Sequence, residues 1–263
     1  MARANRLSDL ATWIVSEGSI EIEDVTERFG VSASTARRDL DALADQQFVQ
    51  RTRGGAQIAS GAGDLPLRYT VVRHEAQKQL IAAAAAALVQ PGTVVGFNGG
   101  TTTTAVAHQL GIRMAAEHSQ QSEVLTVVTN AVNIAADLVV RPQLRVVVTG
   151  GVARPWSYEL VGPLADAIFP QIDIATLFLG VNAFDVERGL FTQHDGEAAT
   201  NAALVAAARR VVVVADSSKL GARAFARICG LEDVDELLTD SGADRSLCAS
   251  LTAAGVKVSI LHH

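Results

Sequence analysis

The sequence predicts an α/β fold in two parts: a small N-terminal winged helix-turn-helix and a larger, mostly parallel α/β domain. Two patterns support this prediction. Apolar residues recur at helical spacing in the first 45 residues, where a glycine turn separates two helical stretches. From about residue 74, helical stretches alternate with short β-branched runs, which is typical of a parallel sheet covered on both faces. We assign residues 1–57 to the winged helix-turn-helix domain, 58–73 to a linker and 74–263 to the α/β domain.

Three helices are predicted in the first domain. Apolar spacing places the first at about residues 3–16 and the second at about 22–29. Gly30 supplies the turn, and Ser32 is a natural N-cap because its hydroxyl can accept from an unpaired amide of the next turn. The third helix then runs to about Asp45, which completes a helix-turn-helix. Phe48-Val49-Gln50-Arg51 and Thr52-Arg53-Gly54-Gly55-Ala56 follow as two short strands with a tight tip, a wing.

The third helix carries residues suited to reading DNA. Ser34 and Thr35 lie near its start, where they can meet base edges or phosphates. Because adjacent residues on a helix point about 100° apart, Arg37 and Arg38 cannot do the same job. We expect one of them to contact a guanine or clamp the backbone, and the wing arginines to hold phosphates. The predicted DNA-binding residues are Ser32, Ser34, Thr35, Arg37, Arg38, Arg51, Arg53 and Gly54.

The charge of the first domain argues in part against DNA. The chain has a formal charge of −6, and residues 1–60 hold seven arginines, no lysine and nine acidic residues. A DNA-binding domain is expected to be basic. However, most of the acids lie in the first half of the domain, whereas Arg37, Arg38, Arg51 and Arg53 lie together in the second. A local arginine face can bind phosphates while the far face stays acidic, so we expect strongly salt-sensitive binding.

The second domain is predicted from a series of short apolar runs that we interpret as strands. They lie at 93–97, 124–128, 144–148, 176–179, 211–214 and 256–260. The alanine run 82–87 resembles low-complexity sequence, but its apolar flanks favour a tightly packed helix.

Small and polar residues follow these strands and predict a ligand site. In open α/β sheets, ligands bind beyond the carboxyl ends of the strands. After the first run comes Asn98-Gly99-Gly100-Thr101-Thr102, where glycines permit close backbone approach and a helix start favours an anion. We therefore predict a pocket for a small phosphorylated polyol. Its predicted residues are Asn98, Gly99, Gly100, Thr101, Thr102, Asn130, Gly151, Asn182, Glu197, Asp216 and Lys219.

Several of these residues also have a structural interpretation. The glycine–threonine segment alone is equally a tight turn before a capped helix, and Glu197 is equally a favourable first-turn acid. Lys219 can simply pair with Asp216 on the surface. We interpret Asp195 as an N-cap rather than a metal ligand, since no other His or Cys lies at ligand spacing, and we expect no metal or cofactor.

Composition indicates the compartment. Apolar residues make up 49% of the chain, enough for a sizeable core. No apolar run approaches the roughly 20 residues of a membrane span, and the N-terminus lacks the apolar segment of a signal peptide. Cys229 and Cys248 are expected to be reduced thiols. We therefore expect a cytoplasmic protein without a membrane partner.

A set of short motifs runs along both domains in a fixed order. In the first domain they are Val31-Ser32 through Thr35, Arg37-Arg38-Asp39-Leu40, Leu43 and Arg51-Thr52-Arg53-Gly54-Gly55-Ala56. In the second they are Gly100-Thr101-Thr102, Val128-Thr129-Asn130, Gly150-Gly151, Leu179-Gly180-Val181-Asn182, Gly189-Leu190-Phe191-Thr192, Glu197-Ala198, Ala215-Asp216-Ser217-Ser218-Lys219 and Thr239-Asp240. In this ordered set the chain resembles the DeoR family of bacterial transcriptional regulators along essentially its whole length. The wing departs slightly, because the common form has a histidine before its two glycines.

The resemblance implies a sensor domain similar to the ribose-5-phosphate isomerase and glucosamine-6-phosphate deaminase fold. It also implies a repressor of a sugar or polyol catabolic operon that a phosphorylated sugar effector releases. The family usually has an aspartate where Asn98 stands, which bears on the identity of the effector. Because one winged module reads a short site, we expect homodimers or homotetramers on repeated half-sites of double-stranded operator DNA.

Two other classes of protein remain open at this point. A phosphosugar isomerase or deaminase with an accessory helix-turn-helix module would use Glu197, Asp216 and Lys219 as acid–base groups. An adaptor would use the helix-turn-helix to contact protein. The complete DNA-reading module, and the lack of a clear histidine–carboxylate pair in a loop of the second domain, favour the regulator over the enzyme. Failure to shift any genomic DNA would favour the adaptor.

Overall fold

A computed structural model describes residues 3–45, 49–58, 74–117 and 124–262. The chain separates into two compact units, with the division between Arg73 and His74. The predicted linker lies outside the described residues apart from Ile58, as does Phe48 of the predicted wing.

The first unit is a winged helix-turn-helix, as predicted. Its helices are α1 (Arg3–Glu17), α2 (Ile22–Phe29) and α3 (Ala33–Asp45). Its strands are β1 (Ser19–Glu21), β2 (Val49–Arg51) and β3 (Gly55–Ile58), which form an antiparallel sheet in the order β1-β3-β2. The side chains of Leu10, Ile14 and Leu40 are fully buried where the three helices meet. Gly30 ends α2 in the left-handed region at φ 61°, and its N–H donates to Thr26 O, which turns the chain into α3.

The second unit is the predicted parallel α/β domain. Its helices are α4 (Glu75–Ala87), α5 (Thr101–Glu117), α6 (Val132–Leu138), α7 (Pro163–Asp166), α8 (Asp195–Ala206) and α9 (Arg245–Ala253). The strands of its main sheet are β4 (Val94–Phe97), β5 (Leu125–Thr129), β6 (Leu144–Val148), β9 (Thr176–Leu179), β12 (Val211–Val214), β14 (Glu236–Asp240) and β15 (Lys257–Leu261). The remaining strands are β7 (Val152–Ala153), β8 (Leu160–Val161), β10 (Ala183–Asp185), β11 (Gly189–Thr192) and β13 (Ala226–Cys229).

The main sheet is parallel and seven-stranded, in the order β15-β14-β12-β9-β4-β5-β6. Both of its faces are buried, because alternate residues of one strand enter two different cores. Val212 and Val214 pack with α4 and α5, whereas Val211 and Val213 pack with α8 and α9. In the first of these cores Phe97 and Phe178 stack with ring centroids 5.5 Å apart.

Some elements escaped prediction, and their burial explains why. β14 begins with Glu236, a buried acid that pairs with Arg210 and Lys257, so its sequence does not read as an apolar run. The hairpin β7–β8 and the small antiparallel sheet β10-β11-β13 have strands of two to four residues, too short for periodicity to identify.

One predicted helix cap was wrong. The N-cap of α8 is His194, whose Nδ1 accepts from the Gly196 N–H at 3.0 Å, and Asp195 is the first residue of the helix. An imidazole nitrogen can do the work of the expected carboxylate, and this moves the cap by one residue. Among the described helices none is long and apolar enough to cross a membrane.

Candidate functional site

The outer face of α3 presents the predicted DNA-reading side chains. Ser34, Arg37 and Arg38 are exposed, whereas Ala36 and Leu40 on the other face are fully buried. The helix period therefore separates a core side from an open side that carries two guanidinium groups.

Ser32 caps α3, as its position predicts. Its Oγ accepts from the Thr35 N–H at 3.3 Å and lies 3.0 Å from Thr35 Oγ1. It also lies 2.9 Å from Ser34 Oγ. The three hydroxyls thus form an exposed polar cluster at the start of the helix, where backbone amides favour a phosphate.

The wing arginines differ in their surroundings. Nε of Arg51 lies 2.9 Å from Oδ1 of Asp41, so Arg51 links the wing to α3. Its side chain is only 28% exposed, and its guanidinium also donates to Gly55 O. Arg53 and Gly54 are exposed at the wing tip. In this geometry Arg53 is more open to a phosphate than Arg51.

A buried ion pair behind α3 escaped sequence reasoning. Nε of Arg6 in α1 lies 2.6 Å from Oδ2 of Asp39, whose side chain is 2% exposed. Hydrogen bonding to Asp39 raises the pKa of Arg6. Because Arg6 lies in α1 and Asp39 in α3, this ion pair joins the two helices. Asp39 directly follows the two arginines in the sequence. The sequence signal for this ion pair was an aspartate, Asp39, on the apolar side of a helix that also carries arginines.

In the second unit, the loops that follow β4 and β9 are joined by Asn98. Its Nδ2 donates to Gly180 O at 2.9 Å, and its Oδ1 accepts from the Gly180 N–H at 2.8 Å. The side chain is buried, so its amide is fully engaged with backbone. An ionised aspartate would accept the second bond but could not make the first. The asparagine therefore joins the ends of two neighbouring strands through both of its polar atoms.

Gly99 provides a close approach to Glu159, a residue that the sequence did not single out. A Cβ on Gly99 would lie 2.4 Å from Cγ of Glu159, a distance no side chain tolerates. The Gly99 N–H donates to the Glu159 carboxyl. Nδ2 of Asn130 and Nδ2 of Asn201 lie 3.4 and 3.3 Å from Glu159 Oε2. A loop glycine and two buried amides thus surround one carboxyl.

The Glu159 carboxyl is buried, and burial raises its pKa to about 8, with repulsion from Glu197 adding to the effect. Hydrogen bonds from Asn130, Asn201 and Gly99 act in the opposite direction without cancelling it. At neutral pH the carboxyl is therefore mostly protonated. A neutral acid beside the loop 98–102 tolerates a nearby anion far better than a carboxylate would.

Glu197 lies in the same cluster and is itself engaged. Its Oε1 is 2.7 Å from Nε of Arg154, and its Oε2 is 2.9 Å from the Thr192 hydroxyl. That hydroxyl is also 2.8 Å from Oδ1 of Asn182. The structure therefore brings five predicted residues together in one connected cluster: Asn98, Gly99, Asn130, Asn182 and Glu197.

The other predicted residues of the site lie at strand ends around this cluster. Gly100, at φ 142°, precedes α5, and its carbonyl accepts from the Thr104 hydroxyl at 2.6 Å. Thr101 and Thr102 form the first turn of α5. Gly151 follows β6 in the left-handed region at φ 122°. These positions agree with a loop that approaches a ligand through its backbone.

Asp216 and Lys219 follow β12, one strand beyond β9. The alternative ion pair between them does not form in the described structure, because Asp216 accepts instead from the backbone and hydroxyl of Ser218. The Asp240 carboxylate at the end of β14 accepts hydrogen bonds from the backbone N–H and the hydroxyl of Ser217. Burial alone would raise the pKa of Asp240, but hydrogen bonds from Ser217 and Gly242 lower it overall. No hydrogen bond among the described residues joins this group to the Glu159 cluster.

Sequence reasoning missed three residues of the cluster: Arg154, Glu159 and Asn201. All three lie outside the loops that directly follow strands of the main sheet. Arg154 and Glu159 come from the segment between β7 and β8, and Asn201 from inside α8. The signal for Asn201 was a polar residue at a buried helical position. The described residues contain no group of three or more His, Cys, Asp or Glu arranged for a metal ion. Cys229 and Cys248 are free thiols.

An exposed arginine helix in one unit and a buried polar cluster at a sheet edge in the other define a DNA-binding regulator with a ligand-sensing domain. Comparison with known proteins agrees. The model for the DeoR-like helix-turn-helix domain matches residues 6–61, and the model for the DeoR C-terminal sensor domain matches residues 73–241. The chain therefore belongs to the DeoR family of transcriptional regulators.

Curated relatives cover nearly the whole chain. It is 33% identical over 259 residues to the HTH-type transcriptional regulator GlpR of Haloferax volcanii, which covers 98% of both chains. It is 31% identical to the putative aga operon transcriptional repressor of Escherichia coli O157:H7, over 92% of this chain and 88% of that protein. It is 29% identical to the glycerol-3-phosphate regulon repressor of Escherichia coli K12, over 96% of each.

Two solved structures are similar at a low level. Ribose 5-phosphate isomerase A of Methanocaldococcus jannaschii aligns with a TM-score of 0.42 and 20% identity, over 56% of this chain and 55% of that chain. The full-length sorbitol operon regulator SorC of Klebsiella pneumoniae aligns with a TM-score of 0.40 and 14% identity, over 95% and 99%. Neither likeness carries a functional assignment.

Proposed function

We propose that this regulator represses an operon for the catabolism of a sugar or polyol, and that a phosphorylated sugar or polyol releases it from double-stranded operator DNA. The observation that carries the proposal is the position of the loop 98–102, a helix start with two glycines, beside the buried cluster of Glu159 and Glu197. The names of relatives support the class of target, since one is a repressor of the glycerol-3-phosphate regulon and another of an aga operon.

On the DNA side, the open face of α3 supports contacts by Ser34, Thr35, Arg37 and Arg38. Ser32 and its neighbouring hydroxyls are placed to meet a phosphate at the helix start. The exposed tip residues Arg53 and Gly54 suit the backbone beside the groove. Arg51 contributes by positioning the wing, and it reaches a phosphate only if its contact with Asp41 is given up.

On the effector side, the loop Gly99–Thr102 suits the phosphoryl group through the amides of Gly100–Thr102, because the start of the 17-residue α5 has unpaired N–H groups and a favourable dipole. The sugar or polyol part then lies toward a set of polar residues. These are Asn98, Asn130, Gly151, Asn182, Glu197, Asp216 and Lys219.

The geometry favours binding over turnover. An acid–base catalyst needs a carboxylate free to exchange protons with substrate. Glu197 instead binds Arg154 and Thr192, and Asp216 binds Ser218. We therefore propose that the chain is not a phosphosugar isomerase or deaminase. Incubation with ribose 5-phosphate or glucosamine 6-phosphate should yield no product, and steady turnover would restore the enzyme class.

The working form is proposed to be a cytoplasmic homodimer or homotetramer. A single reading helix covers only a few base pairs, so two copies on paired half-sites are needed for a specific operator. Sedimentation of the full chain with and without DNA tests this stoichiometry.

The DNA proposal is tested by fluorescence anisotropy with operator fragments selected from genomic DNA by the protein itself. Arg37→Ala and Arg38→Ala should each weaken binding. The variant that loses a base contact should lose about 1–3 kcal/mol and accept other bases at one position, whereas the variant that loses a phosphate contact should weaken all sites alike. Arg145→Ala, an exposed arginine of the sensor unit, is the matched control. Operator affinity that survives both α3 substitutions, or failure to bind any genomic fragment, would contradict the placement of the reading face.

The effector proposal is tested by thermal shift of the full chain against phosphorylated sugars and polyols. A ligand at 100 times its Kd adds about 2.7 kcal/mol of stability. The same compound should then release the operator fragment. Absence of stabilisation by every phosphate ester would contradict the effector class.

A further inference from the structure

The cluster around Glu159 contains buried acceptors without donors. Oδ1 of Asn130 and Oδ1 of Asn201 are buried and receive no hydrogen bond from the described residues. Both side chains are themselves almost completely buried. Each directs its Nδ2 to Glu159 Oε2, so the two unpaired oxygens belong to amides that bond the same carboxyl. Buried polar atoms in folded proteins are nearly always paired, and two unpaired ones side by side therefore point to a missing donor.

The missing donors are best supplied by hydroxyl groups. The unpaired atoms on offer are the two amide oxygens, which lie on side chains bonded to the Glu159 carboxyl. This set is rich in acceptors, and each hydroxyl of a polyol can donate to one of them. A carboxylate or phosphate at the same place would add negative charge beside the Glu197 carboxylate and could donate nothing to the two amide oxygens.

The cluster is also continuous with the loop 98–102. The Gly99 N–H donates to the Glu159 carboxyl, and the absence of a Cβ on Gly99 is what lets the two segments touch. A compact ligand with an anion at one end and hydroxyls at the other therefore finds a matching chemical environment for each end.

We propose that Glu159, Asn130 and Asn201 form a hydroxyl-binding subsite that selects the polyol or sugar end of the effector and rejects a carboxylate at that end. This inference rests on the proposed function, because it takes the phosphoryl group to lie at 98–102. It adds a rule of selectivity: sugar-alcohol phosphates bind, and the matching sugar-acid phosphates do not.

Matched pairs of compounds test the rule on the full chain by isothermal titration calorimetry. Glycerol 3-phosphate and 3-phosphoglycerate differ only in a hydroxymethyl against a carboxylate, as do glucitol 6-phosphate and 6-phosphogluconate. Unphosphorylated glucitol and gluconate form a third pair. Wild type should bind the alcohol at least tenfold more tightly than the acid in at least one pair.

Glu159→Gln should reduce that ratio at least fivefold, because the new amide offers two N–H donors where the protonated acid offers one. Asn201→Ala should weaken binding of the alcohol at least tenfold without improving binding of the acid. Glu75→Gln, an exposed glutamate on α4, is the matched control and should leave the ratio unchanged. Melting curves establish whether each variant is folded. If Glu159→Gln does not fold, Asn201→Ala alone tests the subsite.

The outcomes separate the two proposals. Equal binding of alcohol and acid by wild type, an unchanged ratio in Glu159→Gln, or no binding of any of the three pairs overturns the subsite. Discrimination between glucitol and gluconate, together with failure of every phosphate ester to release DNA, supports the subsite and overturns the phosphorylated effector.

Discussion

The two units of this regulator place their functional side chains in opposite environments. In the first unit the proposed reading residues Arg37 and Arg38 are exposed, and the hydroxyls near them interact within a few residues of one another. In the second unit Asn98, Glu159 and Glu197 are buried and tied to partners tens of residues away. DNA is a large partner that approaches from outside, whereas a small ligand must be enclosed. The exposed site of the first unit therefore depends on a stable core behind its helix. The buried site of the second unit is itself part of the core.

The strongest way to break this comparison is to remove the scaffold of one unit. Leu40 is fully buried behind the reading face, and Leu40→Ala should cost about 2–5 kcal/mol of stability and abolish DNA binding. Leu177→Ala is the matched change in the sensor core. Fluorescence of Trp13, read in a Trp156→Phe background, should report early unfolding for Leu40→Ala only. An earlier unfolding transition of Trp13 in Leu177→Ala as well would mean that the two units depend on each other for stability.

The second prediction concerns pH and the buried acid of the sensor. The pKa of Glu159 is about 8 in the folded chain against 4.5 for an unperturbed glutamate. The folded state therefore holds this proton more tightly, and the resulting stability is fully present below pH 4.5 and is lost as pH rises through 8. A single such proton changes stability by at most about 1.4 kcal/mol per pH unit.

Chemical denaturation of wild type and Glu159→Gln between pH 5 and pH 8 measures this effect. The wild-type free energy of unfolding should fall more steeply with pH than that of the variant. Arg154 and Glu197, which lie in the same cluster, are present in both proteins and cancel in the comparison. Parallel pH profiles would mean that Glu159 titrates normally.

The third prediction concerns the close approach of Gly99 to Glu159. Gly99→Ala places a Cβ against the glutamate side chain and should cost about 1–3 kcal/mol. Glu159→Ala removes the clashing atoms, so the double variant should recover part of that loss. A double-mutant cycle by denaturation gives the coupling. Additive effects would show that the contact carries no strain.

The same contrast explains what the sequence could predict. The helices of the first unit and the cap at Ser32 follow from local signals, namely apolar spacing, a turn glycine and a hydroxyl before a helix. The six apolar strands of the sensor follow in the same way, and Asn98, Gly99, Asn130 and Glu197 do meet at the carboxyl edge. Glu159 could not be placed, because the pairing of the β7–β8 segment with the loop after β5 is a tertiary contact without a local signature. β14 was missed because its buried charge, Glu236, is compatible with a core only through partners on other elements.

The smallest expected effect is at the surface of the first unit. Asp41 is 57% exposed and pairs with Arg51, so Asp41→Ala should change stability by no more than about 1 kcal/mol. It should also release a guanidinium toward the DNA and strengthen non-specific binding at low salt. The salt dependence of anisotropy checks this, with Asp45→Ala at the end of the same helix as the control. Unchanged non-specific binding would place Arg51 away from the phosphates in either protein.

The segment between Gly151 and Gly162 has a consequence for how such regulators diverge. The floor of the site depends on Asn98 and its two bonds to Gly180. The proposed selection of the ligand, by contrast, depends on Glu159, which the short hairpin β7–β8 brings in from beside the main sheet. Substitutions within that hairpin can accumulate without disturbing any strand register of the sheet. A lineage that inherits this architecture can therefore acquire a new inducer by rewriting one hairpin, while the operator-reading half and the sheet are passed on unchanged.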